Sequence, residues 1–134
     1  MPGETDLEKL WRGMKPELNE GEFVFCTLDS LQRAATLNPV YIFQEQEAIT
    51  VIITKLQADE AALPYSVICA WITLTIHASL EAVGLTAAVS KALTAANISC
   101  NVVAAYYHDH IFVPVEDAIR AMDTLTNLTK QDNS

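Results

Sequence analysis

The stretch SVICAWITLTI, residues 66–76, decides how this chain folds. It lies inside a run without formal charge, residues 61–80, that is long enough to span a bilayer. Odd and even positions of the stretch nevertheless differ in chemistry, and many of its residues are β-branched. One face is apolar and the other is mixed: Ile68, Ala70, Ile72, Leu74 and Ile76 against Val67, Cys69, Trp71, Thr73 and Thr75. A period of two with β-branched residues indicates a buried strand rather than a membrane helix.

The residues after this strand predict a helix, a hairpin and a second helix. Leu85, Val89 and Leu93 recur at helical spacing, which predicts an amphipathic helix. Glu116 and Asp117 stand where a last helix begins, which suits the positive end of its dipole. We expect a loop at 77–82, a helix at 83–96, strands at 99–106 and 110–115, and a helix at 116–128.

The residues before the strand repeat the same pattern after a leading helix. Thr5 and Glu8 form a capping box, which predicts a short helix over 5–14. Pro16, Asn19 and Gly21 are expected to break the chain. The expected elements are then a strand at 23–28, one or two helical turns within 29–38, strands at 41–44 and 48–54, and a helix at 55–63 ended by Pro64.

Written in order, these elements form a βαββα unit used twice, with the strand at 66–76 between the two. Each unit is a split βαβ of the ferredoxin-like type, so the expected fold is α+β with helices on one face of antiparallel sheets. The second unit lacks a strand after its last helix. Either the two units share a strand or a sheet edge is left open, and dimerisation is one way to cover such an edge.

Composition limits the function. The 134 residues carry a formal net charge of −9, and the eight Lys and Arg residues are scattered. Nucleic acid and anionic membranes are therefore poor partners. The three cysteines show no CxxC spacing, and the charged N-terminus has no apolar signal region, so we expect a cytoplasmic protein. No glycine-rich phosphate loop is present, which argues against a nucleotide cofactor.

Two further motifs point to a family. The stretch TLTIHASLEAVGLTAAVSKALTAANISCNVVAAYY, residues 73–107, has a strand, a loop, Gly84-Leu85, a helix and a second strand. The stretch HIFVPVEDAIRAMDTL, residues 110–125, follows as a strand and helix. Together they resemble an ACT domain, a small regulatory module that binds ligands in amino-acid metabolism. With KPELNEGEFVFCTL and FQEQEAITVI, the whole chain resembles small proteins that contain two tandem ACT-like modules.

The resemblance implies a domain division, a ligand and a site. The modules would cover residues 1–64 and 65–134. Related modules bind free amino acids, are generally not enzymes, and place the ligand at a module or subunit interface, often in a dimer. The start of a helix at Gly84 suits a ligand carboxylate, because its N–H groups are unpaired. The candidate ligand-binding residues are Thr75, His77, Ser79, Leu80, Val83, Gly84 and Leu85, with Asn101 on a following strand.

Two other functions stay open at this point. An interaction module without a ligand would use the open sheet edge or the face that carries Trp71. A small metal-dependent enzyme would use His77, His108, Asp109 and His110, because an HxH pair on a strand is a common ligand spacing. The resemblance offers no metal there, so we expect no metal and no catalytic residue. Cys26, Cys69 and Cys100 have apolar neighbours and are expected to pack as small hydrophobic residues.

Overall fold

The computed structural model describes residues 14–75 and 84–131. The described part contains seven strands, four α-helices and a short 3₁₀ helix at Val115–Asp117. The strands are β1 Pro16–Leu18, β2 Phe23–Leu28, β3 Tyr41–Gln44, β4 Ile49–Thr54, β5 Cys69–Leu74, β6 Asn101–Ala104 and β7 Asp109–Pro114. The helices are α1 Leu31–Thr36, α2 Lys55–Glu60, α3 Leu85–Ala95 and α4 Ala118–Gln131. The mixed α+β class expected from the sequence is confirmed.

The chain forms two compact units. The N-terminal unit comprises residues 21–69, and the C-terminal unit comprises described residues 14–20 and 70–131. The boundary between the two units lies between residues 69 and 70, and β1 belongs to the C-terminal unit. The helix expected at 5–14 lies outside the described residues, apart from Met14.

The N-terminal unit is a three-stranded antiparallel sheet in the order β3-β4-β2. Alternate residues of β2 and β4 face each other across the ladder, for example Val24 opposite Ile53 and Cys26 opposite Val51. All four are buried and pack with Ala34 of α1 and Ala58 of α2. One face of this sheet therefore holds the apolar core beneath the two short helices, as the period of two predicts.

The C-terminal unit is a four-stranded sheet in the order β1-β5-β7-β6, with α3 and α4 packed on it. The face of β5 beneath the helices carries Ala70, Ile72 and Leu74, all buried. Ile111 and Val113 of β7 continue this face. The other side of the core comes from the two helices and the N-terminal segment, through Val89, Leu93, Ala121, Leu125 and Met14. The strand prediction for 66–76 is confirmed over Cys69–Leu74.

The strand β1 closes the C-terminal unit. It is antiparallel to β5, with Glu17 opposite Thr73 and Leu18 opposite Ile72. Backbone bonds from Asn19 N to Trp71 O at 2.8 Å and from Thr75 N to Lys15 O at 2.9 Å extend the pairing. The prediction that Pro16 breaks the chain was wrong, because Pro16 begins β1. The edge is closed by this strand from before the first unit rather than by a strand after the last helix. A proline is tolerated at an edge position whose missing N–H would point away from the neighbouring strand.

Helix α2 ends earlier than expected, at Glu60 rather than at residue 63. The cause is Ala62, whose φ of 56° is left-handed. Leu63 N then bonds to Ala58 O at 2.9 Å and terminates the helix. No described helix has both the length and the apolar composition that crossing a membrane requires.

Replacing Ala62 by glycine is expected to stabilise the chain. Alanine in the left-handed region costs about 1 kcal/mol, which glycine avoids. The exposed side chain at Ala62 contributes little packing. We expect urea unfolding of Ala62→Gly to give a free energy about 0.5–1 kcal/mol above that of the parent.

Asn97 provides the matched control. It ends α3 with a φ of 61°, and Ile98 N bonds to Leu93 O at 2.9 Å in the same pattern. Asparagine tolerates this conformation better than alanine, so Asn97→Gly should gain less. If Asn97→Gly raised the free energy of unfolding as much as Ala62→Gly or more, relief of backbone strain at Ala62 would not be the cause of the stabilisation.

Candidate functional site

Gly84 directly precedes helix α3. Its φ of 90° and ψ of −11° place it in the left-handed region, where glycine is favoured. It is the N-cap of α3, and its carbonyl oxygen accepts the first helical bond from Ala88 N at 2.9 Å. The residue is exposed, and a Cβ built on it would meet no atom of the described residues within 4 Å. None of the described residues therefore blocks an approach to the backbone at this point.

The start of α3 differs from the starts of the two helices in the N-terminal unit. Among the described residues no side chain caps α3, and its first turn contains no acidic residue. By contrast, Ser30 Oγ accepts from Arg33 N at the start of α1, and Thr54 with Gln57 forms a capping box on α2. No described side chain thus gives the first N–H groups of α3 the acceptor that the other two helices have. These N–H groups carry a partial positive charge, which makes the start of α3 a suitable binding site for a carboxylate.

The structure describes only some of the residues predicted for the ligand site. Thr75 follows β5, and its hydroxyl donates to Lys15 O at 2.8 Å, so it helps to hold β1. Asn101 is exposed on β6, and β7 lies between that strand and β5. Leu85 is the first residue of α3. The remaining candidates, His77, Ser79, Leu80 and Val83, lie outside the described residues.

A polar network on the face of the sheet away from the helices was not expected from the sequence. Trp71 Nε1 donates to His110 Nδ1 at 3.0 Å, and Thr73 Oγ1 lies 3.2 Å from the same nitrogen. Asn19 Nδ2 donates to Thr73 Oγ1 at 2.9 Å and to Trp71 O at 3.1 Å. The Trp71 ring also stacks on Phe112, with centroids 6.0 Å apart. These bonds tie β1, β5 and β7 together.

This network favours the neutral form of His110. Burial lowers its pKa, the neighbouring His108 lowers it further, and Asp109 opposes them. Because the indole N–H can only donate, His110 Nδ1 must be unprotonated to accept it. Burial also raises the pKa of Asp109, against the opposing effect of His110. The pair His108 and His110 has ring centroids 6.5 Å apart, and the described residues contain no group of three side chains that could hold a metal.

The state of His110 predicts how stability depends on pH. A histidine whose pKa is lowered by folding binds fewer protons in the folded chain than in the unfolded chain. Its contribution to the free energy of unfolding is therefore complete above the ordinary pKa near 6.5 and is lost as the pH falls below that value. We expect the urea concentration at the midpoint of unfolding to decrease when the pH is lowered from 7.5 to 5.5. The raised pKa of Asp109 acts in the opposite direction, in a window that extends upward from its ordinary value of 3.8.

The variant His110→Asn separates this effect from other titrations. An asparagine oxygen can accept the Trp71 N–H but does not titrate. The urea midpoint should decrease less between pH 7.5 and pH 5.5 in this variant than in the parent. An unchanged fall would show that another group is responsible.

The cysteines are packing residues rather than nucleophiles. Cys26 and Cys69 are buried, which confirms the expectation for both, and Cys100 is half-buried. Burial raises the pKa of the Cys26 thiol. Burial also raises the pKa of Cys100, although a hydrogen bond with Ser90 partly offsets this. A raised pKa keeps a thiol protonated at neutral pH and therefore unreactive.

Two βαββα units, one of them closed by an added strand, define a tandem ferredoxin-like module. A model of the ACT domain matches residues 2–70, and a second ACT-domain model matches residues 66–127. The chain therefore belongs to the ACT domain family, and the family resemblance expected from the sequence is confirmed. ACT domains are regulatory rather than catalytic, which supports a ligand-binding regulatory module.

Solved structures give the same fold. A Vibrio cholerae protein of unknown function, VC0802, described as a possible transport protein, is 43% identical, with 95% of this chain and 98% of that chain covered and a TM-score of 0.86. The Agrobacterium tumefaciens protein Atu0741 is 16% identical, covering 87% and 89%, with a TM-score of 0.63. The ligand-free regulatory subunit of aspartate kinase from Thermus thermophilus is 12% identical, covering 84% and 95%, with a TM-score of 0.62. No curated protein matches the chain.

Proposed function

We propose that this protein is a sensor that binds one free amino acid per chain at the start of α3. The observation that carries the proposal is Gly84, a left-handed, exposed glycine at the start of a helix that no described side chain caps. The aspartate kinase regulatory subunit among the structural neighbours agrees with a role in amino-acid regulation. Membership of the ACT family supports ligand binding but does not name the ligand.

The α-carboxylate would be bound by the backbone N–H groups of the first turn of α3. These groups point away from the helix and carry its positive partial charge. The absence of a side chain at Gly84 lets the carboxylate reach them. The other candidate residues are proposed to contact the α-amino group and the side chain: Thr75, His77, Ser79, Leu80, Val83, Leu85 and Asn101.

We propose one binding site per chain because the first helix of each unit begins differently. The corresponding position in the N-terminal unit is the junction between β2 and α1. There Ser30 caps the helix, and Asp29 pairs with Arg33 at 3.0 Å beside it. A ligand carboxylate would have to displace the chain's own capping hydroxyl and face the Asp29 carboxylate. We therefore expect binding at α3 alone.

Binding would act by a shift of population. A ligand that favours one arrangement of two subunits shifts the equilibrium towards it. We propose a cytoplasmic homodimer in which a second subunit completes the ligand site. The protein would then pass the signal to a target through packing rather than through catalysis.

Thermal unfolding in the presence of each of the twenty amino acids tests the proposal. An amino acid at a hundred times its Kd stabilises the folded chain by about 2.7 kcal/mol, which raises Tm by several degrees. The same amino acid with its carboxylate converted to an amide is the control, and it should give no shift. Equal shifts with the acid and the amide, or no shift with any amino acid, would contradict carboxylate binding.

A further inference from the structure

The tips of the two equivalent hairpins share one backbone hydrogen bond and differ in the chemistry of their side chains. In the N-terminal unit, Glu45 N bonds to Ala48 O at 3.0 Å and encloses Gln46-Glu47 between β3 and β4. In the C-terminal unit, Ala105 N bonds to His108 O at 3.0 Å and encloses Tyr106-Tyr107 between β6 and β7. Turns of this kind normally carry small or polar residues, as the first one does. Two tyrosines at the second tip are therefore a departure that the turn itself does not need.

The tyrosines are held in place by each other. Their side chains are 76% and 72% exposed. The ring centroids lie 4.9 Å apart at an interplanar angle of 64°, an edge-to-face arrangement. Within the described part of the chain, neither phenol hydroxyl has a hydrogen-bond partner. The pair thus presents two ordered aromatic surfaces to solvent, and ordering before binding lowers the entropic cost of recognition.

We propose that the tyrosine tip, Tyr106-Tyr107, is a docking point for an arginine-bearing basic segment of another protein. Aromatic faces attract cations, and arginine is the commonest partner. Residues 101–114 contain no Lys or Arg, so no cation of the hairpin itself competes for the rings. The net charge of −9 draws a basic segment towards the chain. The same hairpin of a second copy would bring no Lys or Arg to the rings and is therefore disfavoured as the occupant.

The proposal is independent of the ligand site, because the tip lies at the end of the β6–β7 hairpin and uses no group of α3. It assigns a partner surface that the amino-acid proposal leaves open. Tyrosine side chains are also enriched among residues that dominate protein–protein binding energies.

Fluorescence anisotropy with a labelled octapeptide of alternating arginine and glycine tests the proposal on the full chain. The variant Tyr106→Leu/Tyr107→Leu keeps bulk but loses the aromatic faces, and we expect about tenfold weaker binding. The variant Tyr106→Phe/Tyr107→Phe keeps the faces and should bind within about twofold of the parent. Gln46→Leu at the other tip is the matched control and should leave binding unchanged.

The other outcomes overturn the proposal. Equal binding by all variants would mean that the peptide senses only the overall negative charge. Loss of binding in the phenylalanine variant would assign the contact to the hydroxyl groups. Equal affinity for a lysine–glycine octapeptide of the same charge would exclude a preference for the guanidinium. Self-association that the leucine variant abolishes would make a second copy the occupant.

Discussion

Glu17→Pro is expected to lower the free energy of unfolding by about 3 kcal/mol relative to Glu17→Ala. The register places Glu17 opposite Thr73. The flanking positions are hydrogen-bonded, through Asn19 N to Trp71 O and Thr75 N to Lys15 O. Bonded pairs recur every second residue in an antiparallel ladder, so the Glu17 N–H faces β5. Proline removes this bond and strains the strand that closes the C-terminal unit.

Leu18 supplies the matched control for this experiment. Its N–H points away from β5 in the same alternation, as the nitrogen of Pro16 does. The difference between Leu18→Pro and Leu18→Ala should therefore be below about 1 kcal/mol. Urea unfolding of the four variants gives both differences. Equal costs at the two positions would show that β1 does not pair with β5 in this register.

Gly84→Val is expected to weaken amino-acid binding by at least about a hundredfold, enough to remove the rise in Tm that a saturating amino acid gives. A side chain at this position would stand where the ligand carboxylate approaches the first N–H groups of α3. The substitution also strains the backbone, because φ is 90°. Isothermal titration calorimetry of the folded variant below its own Tm separates affinity from stability.

Gly21 is the control for strain. Its φ of 110° is also left-handed, and a Cβ there would meet the Phe23 ring at 3.4 Å. Gly21→Val should lower Tm at least as much as Gly84→Val but leave the affinity unchanged. If Gly84→Val bound the amino acid as tightly as the parent, the ligand would not lie at the start of α3.

The sequence predicted the elements that local pattern determines. Alternation placed β2, β4 and β5 correctly, and helical spacing placed α3 and α4, because each element buries one face on a core. The strand β1 was missed because its three residues show no pattern. Its only described strand partner, β5, is more than fifty residues away in sequence. Pro16, which reads locally as a breaker, is explained only by the edge position that the pairing gives it.

The candidate site was predictable only in part, for a related reason. A glycine before an amphipathic helix predicts the start of that helix, and Gly84 is the N-cap of α3 in a left-handed conformation. The bond of Thr75 to Lys15 O depends on β1 and could not be foreseen. The contact of Trp71 with His110 joins residues 39 apart, and no short-range spacing indicates it. Long-range side-chain contacts follow from the sheet order, which the pattern of single strands does not determine.

A ¹H–¹⁵N NMR titration with the twenty amino acids tests the central claim most directly, because it reports both binding and its location. The account predicts that at least one amino acid moves the amide signals of residues 84–88 at the start of α3. It also predicts that the signals of residues 30–34 at the start of α1 stay in place. Amide shifts confined to the N-terminal unit, or no shift with any amino acid at millimolar concentration, would contradict the account.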